Sequence, residues 1–285
     1  IFMKLFTLVM TTALLTLTVQ AQTTTTTIST SPETQSATTL AAPAKPAATN
    51  IILGYKAATD SGRAADMDVI GGRNAKSKNE AFAGYRMDNG WGGFFNAVQT
   101  YNSFYKNDAK TKWSQGDSSI TLIHPDFYKS SNLTLYGQLR YYIQTTDRSI
   151  DKNINHFAYY FRLNAKFEGG HEIYNELIPR YFGSTKYVAA DTVNYIEDTT
   201  IYSYKIDGTG WKIGAKSWAQ YEEHQKTGTG YSLEAGPQAT YNFNSNFMIS
   251  PSLSLPLLQS NKVNDGPKAV GTDQAYLSLF LQAKL

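Results

Sequence analysis

The sequence contains no cysteine, so neither a disulfide framework nor the lipid attachment of a lipoprotein is available. An excess of one charge is also lacking, because 26 Lys and Arg face 23 Asp and Glu, a net charge of +3. This is not the strongly basic balance of nucleic-acid-binding proteins, and we expect no nucleic-acid partner. After Ala21 no apolar run reaches the roughly 20 residues of a transmembrane helix.

The N-terminal residues have the pattern of a secretion signal. Lys4 supplies a positive charge, an apolar stretch runs from Leu5 to Val19, and Ala21 ends a small-residue cleavage site. A membrane anchor is the alternative, but threonines interrupt the stretch and it is short for a span. We therefore expect residues 1–21 to be a cleaved signal peptide and the protein to be exported.

Residues 22–49 form a low-complexity segment with five consecutive threonines, Thr23 to Thr27, three prolines and no aromatic residue. Such a composition buries too little apolar surface to offset the entropy lost on ordering. We expect a disordered periplasmic linker. A tether to the cell wall or a plug for a lumen is the alternative, and no residue in the segment supports it specifically.

From Asn50 onward, apolar and polar residues alternate with a period of two. Residues 132–144, 157–168 and 231–243 show the alternation most clearly. Alternation predicts β-strands with one apolar face. Strands in soluble sheets usually have about 5–6 residues, whereas these runs match the roughly 9–11 tilted residues that cross a membrane.

The connections between these runs alternate between short turns, such as Asp207–Gly210, and long polar loops, such as 183–194. This predicts an all-β, up-and-down antiparallel transmembrane β-barrel over residues 50–285, of about twelve strands with ten or fourteen as alternatives. Short turns are expected to be periplasmic and longer loops extracellular, and an even strand number leaves both chain ends periplasmic. The predicted strands lie near residues 50–56, 80–87, 92–105, 118–128, 131–144, 156–168, 171–182, 195–206, 211–223, 230–243, 247–257 and 274–285.

Aromatic residues concentrate at both ends of the predicted strands on the lipid-facing side. Amphipathic rings favour the two membrane interfaces, so a membrane barrel carries two such girdles, whereas a soluble β-sandwich predicts no such sorting. The predicted girdle residues are Phe157, Tyr159, Phe167, Tyr181, Trp211, Tyr221, Tyr231, Phe243 and Phe247.

The last strand, Gln274–Leu285, alternates in the same way and resembles the C-terminal insertion signal of bacterial outer-membrane β-barrels. The turn from Tyr241 to Phe247 is similar to periplasmic turns of that class, although Leu285 stands where the class usually has Phe. The resemblance is to porin-like barrels in general and matches no single family. It implies a location in the outer membrane of a Gram-negative bacterium, with outer-membrane lipid and the barrel-assembly machinery as partners.

Because odd- and even-numbered residues of a strand face opposite sides, the residues that alternate with the lipid-facing ones should line the interior. They predict a pore lining with a weak surplus of cations in the middle strands, which favours anionic solutes. The alternative is that these charges pair across neighbouring strands and merely fill the interior. The predicted lining residues are Arg140, Arg162, Lys166, Arg180, Lys212, Lys216, Glu168, Glu172, Glu176, Glu222, Glu234, Tyr136, Tyr142, Tyr160 and Trp218.

These features predict a passive, porin-like channel for ions and other small hydrophilic solutes, not an enzyme, without catalytic residues, cofactor or metal. One competitor is a structural or adhesive barrel with a closed lumen and partner-binding loops. Another is an outer-membrane hydrolase (a lipase, deacylase or protease). His171, Glu172 and Asn175 resemble an outer-membrane phospholipase site, but the serine two residues after the histidine is missing. Asp60, Asp66 and Asp68 match no complete Ca²⁺ loop.

Overall fold

The computed structural model describes residues 50–61, 73–104, 112–184, 186, 192–225, 228–260, 268–269 and 274–284. Within them, twelve long strands follow one another around a closed antiparallel barrel. The strands are β1 Ile51–Ser61, β2 Arg73–Arg86, β3 Gly92–Phe104, β4 Ser119–Ile123, β5 Leu133–Tyr142, β6 Asn155–Lys166, β7 His171–Gly183, β8 Thr192–Lys205, β9 Trp211–His224, β10 Gly228–Asn242, β11 Phe247–Gln259 and β12 Tyr276–Lys284.

Closure comes from the pairing of the first strand with the last, in a register that places Gly54 opposite Lys284. Each of the twelve strands therefore has a hydrogen-bonded neighbour on both sides. The prediction of an up-and-down, all-β barrel of twelve strands is confirmed.

Short strands and helical turns lie near the two ends of the barrel. Short strands at Lys112–Gln115, Tyr128–Lys129 and Lys268–Ala269 pair with β3, β5 and β11. A five-residue helix, α1, spans Asp147–Asp151 in the connection between β5 and β6, and a 3-10 turn at Glu168–Gly170 joins β6 to β7. In the described ranges, no helix is long and apolar enough to cross a membrane.

Three strand boundaries differ most from the prediction. β1 continues to Ser61 and β2 begins at Arg73, within what the sequence suggested was a long loop. Polar residues such as Asp60 and Lys76 stand opposite each other on the inner face, where polarity does not interrupt a strand. β4 ends at Ile123, because Pro125 has no N–H to continue the ladder. The predicted signal peptide and linker, with Asp66 and Asp68, lie outside the described residues.

The inner face is identified by contacts between strands that are not neighbours. Arg140 on β5 lies 3.6 Å from Glu80 on β2, and Lys212 on β9 contacts Glu172 on β7. Even-numbered residues therefore face inward on β5, β6, β7 and β9. On β8 the odd-numbered residues face inward, because Thr199 stands opposite Glu176, whose side chain points inward.

Most of the predicted girdle residues lie near the strand ends, and Tyr159 lies near the middle of β6. Tyr221 and Tyr231 pack with ring centroids 5.3 Å apart at the long-loop end, where Phe157 and Tyr181 also lie. Tyr159 lies over Gly137 and its hydroxyl hydrogen-bonds His124. At the short-turn end, a chain of rings with centroids 4.7–4.9 Å apart runs through Trp211, Tyr241, Phe243 and Phe247, and Phe167 precedes the turn after β6.

Two glycines allow a close approach of neighbouring backbones. A Cβ at Gly236 on β10 would lie 1.8 Å from the carbonyl oxygen of Leu253 on β11. A Cβ at Gly214 on β9 would lie 1.9 Å from the carbonyl oxygen of Tyr202 on β8. No side chain fits at either position without separating the strands.

We expect Gly236→Ala to lower the free energy of unfolding by about 1–3 kcal/mol, the usual cost of forcing extra volume into a packed site. Gly183→Ala is the matched control, since its nearest contact is the side chain of Tyr181 at 3.2 Å. Urea titration of the refolded protein in micelles, followed by tryptophan fluorescence, measures both. Equal midpoints for the two variants would contradict the close packing at Gly236.

Candidate functional site

Three arginines surround one tyrosine on the inner face of the barrel. The guanidinium carbons of Arg140, Arg162 and Arg180 lie 4.8, 5.1 and 5.9 Å from the ring centre of Tyr160. Ala158 stands opposite both Arg140 and Arg180 in the two ladders, so its small side chain leaves space for both guanidinium groups. Arg140 and Tyr160 are each only 5% exposed, which favours cation–π attraction because water is excluded.

Each of these arginines also has a carboxylate partner. Arg140 lies 3.6 Å from Glu80, and the Arg180 Nη2 donates to Glu197 at 3.0 Å. Arg162 donates to Glu176, which also accepts from the Tyr174 hydroxyl at 2.9 Å. Three neighbouring guanidinium groups would repel one another, and the three carboxylates offset that repulsion. We call Arg140, Arg162, Arg180, Glu80, Glu176, Glu197 and Tyr160 the arginine layer.

Aromatic rings cover the layer toward the long-loop end. The Tyr142 hydroxyl lies 2.9 Å from that of Tyr160 and accepts a hydrogen bond of 3.1 Å from Arg180. The His156 ring stacks between Tyr142 and Phe182, at centroid distances of 3.8 and 4.0 Å. Tyr142 is 8% exposed, so this ring and Tyr160 form a packed layer instead of an open wall.

The interior is filled unevenly. On β3 and β4, Asn96, Ser119 and Thr121 are fully buried, and the Asn96 amide donates to both hydroxyls at 3.1 and 3.2 Å. On the inner face of β10–β12, Gln238, Ser252, Ser254 and Ser278 remain half-buried. Accessible space inside the barrel therefore lies away from β3 and β4, on the side of β8–β12, and several inward side chains of β10–β12 are small and polar.

The other predicted lining residues occupy varied positions. The ring centre of Tyr136 lies 5.7 Å from the guanidinium carbon of Arg162, and the Tyr136 hydroxyl accepts a hydrogen bond from the Asn164 side chain. Trp218 donates to Glu197 at 3.0 Å, and Glu234 accepts from the Tyr276 hydroxyl. Lys212 pairs with Glu172, and Glu222 lies 3.5 Å from His224. Lys166 and Glu168 are exposed at the short-turn end, where Glu168 belongs to the 3-10 turn.

Apart from the lysines at the ends of β6, β8 and β12, four lysines of the inner face form no ion pair within 4 Å in the part of the chain that the structure describes: Lys56, Lys76, Lys78 and Lys216. Lys56 instead lies 5.2 Å from the ring centre of Phe82. The surplus of positive charge thus comes from lysines, three of which are on β1 and β2. Sequence reasoning missed these three because the alternation there is weak, and it missed Glu80 for the same reason.

An ordered connection lies over the long-loop end. The Asp117 carboxylate accepts hydrogen bonds from the Thr145 and Thr146 backbone N–H groups and, at 2.7 Å, from the Ser149 hydroxyl. Thr146 and Ser149 also form a capping box that starts α1. A cavity of about 260 Å³ lies here, lined by Arg148, His156, Phe182, Tyr195 and Glu222 among others. The strands predicted near 131–144 and 156–168 leave this segment as a connecting loop, although the Thr-x-x-Ser spacing is a usable helix signal.

The arrangement does not assemble the phospholipase-like trio. His171 and Glu172 are adjacent on a strand and point to opposite faces, with His171 hydrogen-bonded to the Tyr202 hydroxyl at 2.7 Å and Glu172 paired inside with Lys212. Asn175 donates to Asp198 at 2.9 Å. Within the described ranges, no cluster of three or more His, Asp or Glu side chains has metal-binding geometry.

Solved structures with a similar fold are outer-membrane channels. An outer-membrane channel from Pseudomonas putida F1 is 10% identical with a TM-score of 0.54, and the match covers 85% of this chain and 100% of that chain. The chain has the barrel fold of outer-membrane channels. The KdgM porin in complex with disordered oligogalacturonate is 10% identical with a TM-score of 0.47, covering 82% and 99% of the two chains. The NanC porin is 8% identical with a TM-score of 0.47, covering 81% and 97%. No family model and no curated protein matches the sequence.

We expect Glu80→Gln to destabilise the protein by about 3 kcal/mol, because removal of one partner leaves the buried charge of Arg140 uncompensated. Glu168→Gln makes the same chemical change at an exposed turn and should leave the urea midpoint unchanged. The double variant Glu80→Gln/Arg140→Met should recover much of the loss. Equal midpoints for the two single variants would show that the arginine layer does not depend on this pair.

Proposed function

We propose that this protein is a porin-like channel of the outer membrane, through which small hydrophilic solutes diffuse down their gradients. The observation that carries the proposal is the half-exposed polar wall of β10–β12 inside a closed barrel. Eight-stranded barrels are filled by side chains and sixteen-stranded barrels leave an aqueous channel. A barrel of twelve strands, filled on one side, leaves a narrower passage on the other.

The passage runs along Gln238, Ser252, Ser254 and Ser278, whose hydroxyl and amide groups replace water contacts of a passing solute. The arginine layer forms the opposite side. Because its guanidinium groups are paired and largely buried, they serve as packed scaffold and do not act as free anion sites. This differs from the sequence-based expectation, in which a surplus of cations in the middle strands favours anionic solutes.

The proposed preference for anions rests on the four interior lysines. Three interior carboxylates, Asp60, Glu222 and Glu234, have hydroxyl or histidine partners. The four lysines therefore leave a weak positive surplus within the barrel. Such a surplus raises the local concentration of anions in a low-dielectric channel.

The outer surface supports a membrane location. Large apolar residues on the outer face, such as Ile120, Leu122 and Phe161, are about half exposed, as lipid-facing side chains are. Aromatic rings at both ends of the barrel fit the two interfaces. We place the short turns, the linker and both chain ends in the periplasm, with residues 1–21 removed on export and the assembly machinery inserting the barrel.

Single cysteines test where the passage lies, because the natural chain has none. In planar bilayers, we expect the refolded protein to conduct in discrete steps. A positively charged methanethiosulfonate reagent should reduce the conductance of Ser252→Cys by about half or more, since the added group narrows the passage. Ser119→Cys is the matched control on the filled side, and its conductance should not change.

Block of Ser119→Cys with no effect on Ser252→Cys would place the passage on the other side of the barrel. A folded, heat-modifiable barrel that never conducts would overturn the channel proposal and favour the structural barrel with a closed lumen.

Charge reversal tests the selectivity. Under a salt gradient, Lys216→Glu and Lys56→Glu should each move the reversal potential toward cations, because each replaces an interior positive charge with a negative one. Lys129→Glu, on an exposed side chain at the short-turn end, should have little effect. If all three variants keep the wild-type reversal potential, the interior lysines do not set ion preference.

A further inference from the structure

A polar cluster lies on the outer face of the barrel, near the middle of β8. The Asn175 amide donates to the Asp198 carboxylate at 2.9 Å and to the Thr200 hydroxyl at 2.8 Å. The Thr200 hydroxyl in turn donates to Asp198 at 3.2 Å. Ser217 on β9 stands directly opposite Thr200 and completes the cluster. We call Asn175, Asp198, Thr200 and Ser217 the outer polar patch.

The register shows that the patch faces outward. Glu197 and Thr199, the neighbours of Asp198 and Thr200, stand opposite the inward residues Ile178 and Glu176. On its own face, Asp198 lies between Leu177 and Ala219. If the barrel spans a membrane as proposed, this carboxylate lies at the depth of the hydrocarbon, where charged side chains are rare and costly.

The hydrogen bonds within the patch are incomplete. A carboxylate offers about four acceptor sites, and two donors reach Asp198. In the described part of the chain, no hydrogen bond is formed by the Ser217 hydroxyl or by the Asn175 side-chain oxygen. The patch therefore contains an unused donor and unused acceptors, and lipid tails supply neither.

Small residues lie beside the patch on β9 and β10. Ala215 and Ala219 flank Ser217 on β9, and Ala235 stands opposite Ser217 on β10. On β4 to β6, the outward residues Ile120, Leu122, Leu139 and Phe161 are larger. Small residues let two backbones approach closely within a membrane, and polar side chains then hydrogen-bond across the contact.

We propose that the outer polar patch is the centre of a contact between two copies of this chain in the membrane. Closed two-fold symmetry is the commonest arrangement of homo-oligomers, and it brings one surface against itself. A surface that carries both an unused donor and unused acceptors is suited to this, because each copy's Ser217 donates to the other's Asp198. The inference rests on the membrane placement in the proposed function and not on conduction.

The oligomeric state of the full chain tests the contact. In lipid nanodiscs and in mild detergent, light scattering should give twice the monomer mass for the wild type. Asp198→Leu removes the hydrogen bonds and Ala219→Trp blocks the approach sterically, so both should halve the mass. Ala97→Trp makes the same steric change at an outward position on β3 and should remain a dimer. Heat-modifiability on gels confirms that each variant is folded.

Cross-linking provides a second measurement that does not depend on a destabilising change. Ser217→Cys, the single cysteine of its variant, should form covalent dimers with a short bis-maleimide in native membranes. Leu122→Cys, at an outward position on β4, four strands away from β8, should remain monomeric. A monomeric wild type without a Ser217→Cys cross-link overturns the proposal, and so does a dimer that survives both Asp198→Leu and Ala219→Trp.

The channel proposal and the dimer proposal can be tested independently of each other. Conductance by folded, monomeric Ala219→Trp would leave the channel intact without the dimer. A dimer that never conducts would support the contact and overturn the channel proposal. Flotation of the protein with lipid vesicles checks the membrane placement on which both depend.

Discussion

The structure depends on the closure of one continuous hydrogen-bonded sheet. Because β1 pairs with β12, each of the twelve described strands has partners on both sides, and none of them is an edge strand that would need water or another chain. Closure also divides every strand into an inner and an outer set of side chains. The polar residues that interrupt the hydrophobic pattern, such as Asp60 and Lys76, are accommodated on the inner set.

The interior combines charge with packing on one side and small polar groups on the other. Placing Arg140, Arg162 and Arg180 around one ring is unfavourable unless each charge is compensated, and carboxylates from β2, β7 and β8 do this. Arg140 is only 5% exposed and donates a hydrogen bond to the hydroxyl of the fully buried Thr121, so this part of the interior is closely packed. The opposite wall, rich in serine, keeps the exposed surface that water requires.

The fold could be predicted from the sequence because strand alternation and turn spacing are local signals. Strands β5 to β7 were traced almost to the residue, and the tight turns fixed the strand order. The least accurate parts were β1, β2 and β4, where inward polar residues or Pro125 conceal the period. The sequence also indicated which charges face inward on β5 to β7, but not their partners. Glu80 is three strands from Arg140 around the barrel, and only the curvature of the closed sheet brings the two together.

Ala158 shows how a small buried residue can influence the width of the barrel interior. Its side chain is 1% exposed and stands opposite Arg140 and Arg180, so it determines how deeply these guanidinium groups sit against the strands. A bulkier residue there would push the guanidinium groups inward across the remaining opening. The width of the interior at this level therefore depends on the size of a methyl group that lies behind the arginine side chains.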